Sequence, residues 1–150
     1  MSEYGFSRAS EDVVALRNEL ADQVVRALRQ AGLPAFREEE EGDEADRAGA
    51  MVAVDPDAVL GSAPVSVAWR CSPDTMRAAV ESLVAGRADA PAVRYPGTIG
   101  RHMQAAVVGI LLSAGILATV ENDHMHPDHV LVFGLFSDLP PALRPGFVRP

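Results

Sequence analysis

The sequence predicts one α+β domain of two layers, in which an antiparallel sheet of about five strands is covered by three helices. Three observations predict this class. Apolar residues recur at helical spacing in three stretches that each end at a glycine. Five shorter stretches alternate or are continuously apolar, as strands are. A chain of 150 residues with 48% hydrophobic content is also long enough to bury a core.

The first helix begins at Ser10, where Glu11 and Asp12 suit the positive end of the helix dipole, and it ends at Gly32. Residues 1–9 are predicted to be a flexible lead-in, and residues 10–150 to be the single domain. The apolar stripe of this helix consists of Val13, Leu16, Leu20, Val24, Ala27, Leu28 and Ala31. The charged residues largely opposite that stripe are Arg17, Asp22, Arg26 and Arg29.

Three predicted strands and one acidic loop follow the first helix. Residues 33–37 form a short strand, and Pro34 places it at an edge because proline cannot donate to a ladder. Residues 38–44 are the strongest charge run, and we interpret them as a solvated hairpin tip, with a docking surface for a basic partner as the alternative. Residues 50–55 and 65–70 are the next strands, and the second alternates as a half-buried strand does.

A second helix starts at Ser72 with Pro73 at its first position, which is the usual place for proline in a helix. Gly86 closes this helix. Residues 88–96 are predicted to be a connector, because they contain two prolines. The predicted buried face of the second helix consists of Met76, Ala79, Val80 and Leu83.

The third helix organises the second half of the chain, and it is predicted to begin at a Thr98 cap and to end at Gly115. Residues 116–121 follow as a strand with one buried face. Residues 130–136 are apolar on both faces, which suits a central strand. The apolar positions of the helix are Ile99, Met103, Ala106, Val107, Ile110, Leu111 and Ala114.

The two long helices end alike, since residues 24–35 match residues 107–118 at a constant offset of 83. Both copies continue into a strand, an acidic loop and a second strand, so a duplicated helix-hairpin unit is one explanation. The other explanation is that any alanine-rich helix with a glycine cap and a following strand looks similar. In either case the order of elements is similar to that of small acidic secretion chaperones, which are dimeric and non-catalytic.

Composition excludes several classes of partner. A net charge of -8 and a pI near 4.9 argue against nucleic acid, which requires clustered basic residues. The single cysteine, Cys71, excludes an intramolecular disulfide and fits a reducing compartment. The first residues lack a secretion signal, and the apolar run 105–120 is shorter than the ~20 residues that a membrane-spanning helix needs. We therefore expect a cytoplasmic protein with no membrane partner.

Three of the four histidines lie in the hexapeptide His124-Met125-His126-Pro127-Asp128-His129. This H-x-H-x-D-H pattern resembles the zinc-ligand motif of the metallo-β-lactamase superfamily. In that family the motif follows an early strand, leads into a helix and is completed by ligands far downstream. Here it lies near the C-terminus, precedes a predicted strand and has no later histidine. We therefore exclude membership of that family.

A simpler zinc site remains the alternative interpretation of this cluster. Its metal ligands would be His124, His126, Asp128 and His129, because imidazoles and carboxylates suit zinc. Further ligands would come from Glu121, Asp123 and His102. Such a site would be structural or would hold a hydrolytic water. A polar hairpin tip is the competing interpretation, since Pro127 breaks the strand register that would align the ligands.

No catalytic residue and no cofactor is predicted elsewhere. Cys71 has no histidine near it in sequence, so we interpret it as a structural thiol. Residues 97–100 lack the P-loop lysine and the Rossmann glycine spacing, and a helix cap explains them. The favoured function is a non-catalytic interaction or accessory domain that forms a homodimer or binds another protein. The alternative is a zinc-binding protein or a small metal-dependent hydrolase.

Overall fold

The computed structural model describes residues 7–38, 47–121 and 129–143. These ranges contain three helices and one five-stranded sheet, which confirms the α+β class. The single-turn helices Phe136–Asp138 and Pro141–Leu143 follow the last strand. The helices are α1 (Glu11–Gln30), α2 (Pro73–Val84) and α3 (Pro91–Ser113), and the strands are β1 (Ala35–Arg37), β2 (Gly49–Val54), β3 (Val65–Arg70), β4 (Ile116–Val120) and β5 (Val130–Leu135).

The sheet is open and has the order β1-β2-β3-β5-β4, so β1 lies at an edge and β5 is an interior strand between β3 and β4, as their patterns predict. Three of its four strand pairs are antiparallel. The pair β1–β2 is parallel, with Ala35 aligned with Ala50, so the hairpin expected there is wrong. Because β4 and β5 do form an antiparallel pair, the repeat seen in the sequence does not extend to the pairing of the strands.

Gly49 makes the parallel pair possible. Its φ is +133°, and a Cβ on it would lie 2.6 Å from the carbonyl oxygen of Pro34. Only glycine allows the two backbones to approach so closely. The next residue, Ala50, then donates its N–H to that same Pro34 oxygen at 2.8 Å. The first hydrogen bond between β1 and β2 therefore depends on the absence of a Cβ at Gly49.

Helix α1 packs on β1, β2 and β3, and α3 packs on β3, β4 and β5. The two helices also contact each other, so one face of the sheet is covered along its whole width. The core between the layers includes Val24, Leu28, Val52, Val65, Val67, Val107, Leu111, Ile116, Ala118, Val130 and Val132. All of these side chains are apolar and nearly inaccessible to solvent. Hydrophobic burial at this interface stabilises the two-layer arrangement.

The buried face of α1 is rotated relative to the predicted stripe. Leu16 is 65% exposed, whereas Arg17 is buried. The Nη1 atom of Arg17 donates to the carbonyl oxygens of Asp55 and Asp57, both at 2.7 Å. Charged hydrogen bonds of this kind offset the cost of burying a guanidinium. The expectation that Arg17 faces solvent is therefore wrong, because the turn after β2 supplies it with acceptors.

Helix α3 begins seven residues earlier than its predicted Thr98 cap, at Pro91. Proline is well suited to the first helical position, because it lacks a backbone N–H and an N–H at that position has no partner within the helix. Pro96 then lies inside the helix, where it removes one hydrogen bond. The Thr98 hydroxyl does not cap the helix and instead donates to the Arg94 carbonyl at 3.1 Å. The predicted connector is thus largely helix.

Residues 7–9 of the predicted lead-in pair with the turn after β2. The backbone of Arg8 forms an isolated antiparallel β-bridge with that of Asp57, and the Ala9 N–H donates to the Pro56 carbonyl at 2.9 Å. The start of α1 agrees with its prediction, since the Ser10 hydroxyl accepts from the Val13 N–H. None of the helices in the described ranges is long and apolar enough to cross a membrane.

Candidate functional site

The histidine cluster falls largely beyond what the structure describes. His124, His126 and Asp128 lie outside the described residues, and so does Asp123. His129 precedes β5, and its carbonyl accepts from the Glu121 N–H at 2.9 Å and from Gln104 Nε2 at 3.0 Å. These bonds fix the backbone of His129 between β4 and α3. The zinc site therefore stays a prediction.

Two of the predicted ligands line one open cavity of about 500 Å³ beside the ends of β2 and β4. They are Glu121 and His129, and Asp55 lies in the same wall. His102 is exposed on α3 and does not line this cavity. Within ranges 7–38, 47–121 and 129–143, no three His, Cys, Asp or Glu side chains are close enough together to hold a metal ion.

The other two motifs from the sequence take structural positions. The sulfur of Cys71 is half-buried and lies 3.8 Å from the carbonyl oxygen of Pro96, so the thiol packs against α3. Residues 97–100 lie within α3. Their amides point along the helix axis and are occupied by the helical ladder, so they do not form an anion-binding turn.

Helix α2 leaves a row of large apolar side chains in solvent. It packs mainly on α3, and only Ala79 of its residues is buried. The four side chains, which we call the α2 stripe, are Met76 (46% exposed), Val80 (55%), Leu83 (51%) and Val84 (83%). They follow helical spacing, so they lie on one side of the helix. The expectation that Met76, Val80 and Leu83 are buried is wrong, because α2 packs on α3 and not on the sheet.

Charged residues flank the α2 stripe along one side. Arg77 and Glu81 are one helical turn apart and both are exposed. Arg77 Nη1 also lies 3.0 Å from Asp74 Oδ1 in an exposed ion pair. Such a surface pair contributes little to stability, so Arg77 is available for other carboxylates.

A second apolar surface lies between the first half of α1 and β5. Val13 and Leu16 line it from the helix, and Phe133, which is 42% exposed, lines it from the strand. The cavity there measures about 480 Å³. Phe133 lies at a register shift between β4 and β5, where a β-bulge alters the direction of a side chain.

The third feature is a cleft of about 440 Å³ between α1 and the outer edge of β1, which we call the arginine cleft. It is lined by Asp22, Val25, Arg26, Arg29, Gln30 and Arg37. Arg37 is 7% exposed, and its Nη1 lies 2.7 Å from Asp22 Oδ1. The Nε atom of Arg29 donates to the Ala35 carbonyl at 2.9 Å. The helical pattern places Arg26 and Arg29 on a solvated face, because local periodicity does not show that Arg37 lies beside them.

Comparison of the chain with protein-family models, with curated proteins and with solved structures finds no match in any of the three. Function must therefore be argued from the three surfaces described above.

Proposed function

We propose that this chain is a non-catalytic interaction domain that forms a homodimer through the α2 stripe. The observation that carries the proposal is the exposure of four large apolar side chains on one side of a short helix. Contiguous apolar surface of this kind marks interaction sites in soluble proteins. The partner that we propose is a second copy of the chain, because the positive and negative residues beside the stripe would pair with those of a symmetric copy.

The self-complementarity follows from the order of residues along α2. A two-fold axis at the level of Ala79 and Val80, on the exposed side of the helix beside Val80, pairs two α2 helices in antiparallel fashion, and each helix then presents the same patch. Met76 comes opposite the partner's Leu83. Arg77 comes opposite the partner's Glu81, and the symmetry repeats this ion pair on the other side of the axis. Charges beside an apolar seam select partner and orientation in helix pairs in this way.

The apolar stripe alone is too small to hold a tight dimer. Burying the exposed halves of four such side chains on each of the two protomers contributes on the order of 8 kcal/mol. A micromolar dimer needs about 8 kcal/mol after the loss of translational and rotational freedom on association, at least ~4 kcal/mol, has been subtracted. The interface therefore includes the flanking ion pairs and the adjoining surface of α3, where Tyr95 is also exposed.

The first test is the oligomeric state of a Val80→Glu variant, measured by light scattering across a range of concentrations. We expect the wild type to dimerise and the variant to dissociate at least about a hundredfold more readily, because two unpaired carboxylates would meet at the axis. Leu16→Glu is the matched control, since it places the same charge on the apolar surface between α1 and β5. A wild-type monomer, or a dimer that only the Leu16 variant disrupts, contradicts the proposal.

A charge exchange tests the orientation of the helices. Arg77→Glu and Glu81→Arg each place like charges opposite one another, and each is expected to weaken the dimer about tenfold over its two symmetric contacts. The double variant R77E/E81R restores both pairs and is expected to return the dissociation constant to that of the wild type. Circular dichroism of every variant separates dissociation from unfolding. If the double variant is as weak as the sum of the single ones, the antiparallel pairing is wrong.

A further inference from the structure

We propose that the arginine cleft binds the phosphoryl group of a small soluble phosphate ester. This site lies on α1 and β1, and it is independent of the dimer proposed for α2. Among the residues that the structure describes, three guanidinium groups and one carboxylate line the cleft, an excess of two positive charges in a chain whose net charge is -8. A local charge opposite in sign to that of the whole molecule attracts anions to that place.

Two of the three guanidinium groups are held in place before any ligand arrives. Arg29 is fixed by its bond to the Ala35 carbonyl, which uses Nε and leaves both Nη atoms directed elsewhere. Arg37 is fixed by Asp22 and by the side-chain oxygen of Asn18. Preorganised donors bind more tightly because less side-chain freedom is lost on binding.

Arg26 is the cation of the cleft with the fewest constraints. It is exposed and, among the described residues, no carboxylate lies within ion-pair distance of it. It is one helical turn from Asp22 and about one turn from Arg29, so its guanidinium reaches the same space. Arg26 and Arg29 together offer forks of N–H donors that match the oxygens of a phosphoryl group.

The dipole of α1 opposes an anion at this end of the helix, but its effect is small. The C-terminal end of a helix carries a charge equivalent to roughly -0.5, which is well below the two positive charges of the cleft. The last carbonyls of α1 are also occupied. Those of Ala27, Leu28 and Arg29 accept from the amides of residues 31, 33 and 32. The arginines therefore determine the sign of the potential in the cleft.

Charge and size indicate the class of ligand. Two positive charges match a phosphate monoester, which is close to a dianion at neutral pH, better than a single carboxylate. The cavity of about 440 Å³ falls in the range of about 300–1,000 Å³ that small-molecule sites occupy. A bare phosphate ion would leave most of that space empty, so the ester part of the ligand occupies the remainder, next to the apolar Val25 and the amide of Gln30.

The experiment is a calorimetric titration of the full chain with glycerol 3-phosphate, inorganic phosphate and acetate at constant ionic strength. We expect saturable binding of both phosphates at millimolar concentration or below, and no binding of acetate. Arg26→Gln is expected to weaken phosphate binding about tenfold, since one charged hydrogen-bonding group is lost. Arg26→Lys keeps the charge without the fork and is expected to bind with intermediate affinity.

Arg94→Gln is the matched control, because it removes one exposed positive charge from α3 and leaves the cleft intact. If Arg94→Gln weakens binding as much as Arg26→Gln does, the attraction is a diffuse property of the whole surface and the site is refuted. Absence of saturable binding by either phosphate refutes it as well. A lower melting temperature of Arg26→Gln with unchanged phosphate affinity would mean that Arg26 only complements the helix dipole.

Discussion

Gly49 shows how a single residue determines which strands can pair. A side chain at this position would collide with the oxygen and Cβ of Pro34, at 2.6 and 2.8 Å from the built Cβ. The same oxygen accepts the first hydrogen bond between β1 and β2. The edge strand is therefore joined to the sheet through a contact that only glycine permits.

We expect Gly49→Ala to lower the free energy of unfolding by about 3 kcal/mol, from backbone strain and from the displaced β1 strand. Urea denaturation measures this change. Gly61→Ala is the control, because its Cβ would meet nothing within 4 Å. That variant should change the free energy of unfolding by less than about 1 kcal/mol. Equal effects of the two substitutions would show that close packing at Gly49 is unimportant.

Helical spacing predicts the apolar residues of the core but not which polar residues are buried beside them. The positions Val24, Leu28, Val107 and Leu111 are buried, as their spacing indicates. The same spacing predicts Arg17 on the polar face, largely opposite the apolar stripe of α1. Its burial depends on two carbonyl oxygens about 40 residues away, and such long-range partners are invisible to local periodicity.

At the scale of the element, the helix boundaries agree with the sequence pattern except at the start of α3. Gly115 follows α3 with a φ of +81°, a conformation that glycine adopts without strain. The sequence places the start of α3 too late because Pro96 and Thr98 together resemble a boundary and a cap. The helix continues through Pro96 in its second turn, although proline removes one hydrogen bond of the helix there.

Two glycine substitutions near the end of α3 should therefore have opposite effects. Gly109→Ala should raise the free energy of unfolding by about 1 kcal/mol, because alanine favours the helical conformation and its Cβ meets no atom within 4 Å. Gly115→Ala should lower it by about 1 kcal/mol, since it forces a left-handed backbone on alanine. Thermal unfolding followed by circular dichroism measures both changes. A destabilised Gly109 variant would contradict the assignment of this residue to a regular, exposed helical turn.

The α2 stripe also belongs to the scale of the element. Helical periodicity predicts which residues of α2 share a side, and Met76, Val80 and Leu83 do share one. It cannot predict whether that side meets the sheet, another helix or a second chain. The candidate surface is therefore present in the sequence as a stripe, but periodicity alone does not say which of the apolar helix faces meets the core and which meets a partner.

On the scale of the whole molecule, the class, the strand count and the interior place of β5 follow from the sequence, whereas the parallel pairing of β1 with β2 does not. A short strand followed by an acidic run indicates a hairpin. The same pattern also fits a connection that returns to the starting end of the first strand, so that the next strand pairs in parallel, as β2 does with β1. The arginine cleft is likewise invisible to local periodicity, because it requires Arg37 beside Asp22 of α1, and the two residues are 15 positions apart.

Dimerisation links the stability of the whole molecule to its concentration. If two copies associate through α2, the melting temperature of the wild type should rise with protein concentration, because association stabilises the folded state by mass action. Differential scanning calorimetry at several concentrations measures this dependence. The Val80→Glu variant should melt at one temperature throughout. A wild-type melting temperature that is independent of concentration would contradict the dimer.

The contact between Arg29 and Ala35 has a consequence for aggregation. The Pro34 carbonyl points towards β2, so the Ala35 carbonyl points away from the sheet. It is therefore the acceptor to which a strand of another molecule would hydrogen-bond. Arg29 already occupies that acceptor, and its charge lies along the margin of the sheet. Fibril growth by strand addition is thereby discouraged at β1, and the opposite margin, formed by β4 with its exposed Val120, is the place where such growth would begin.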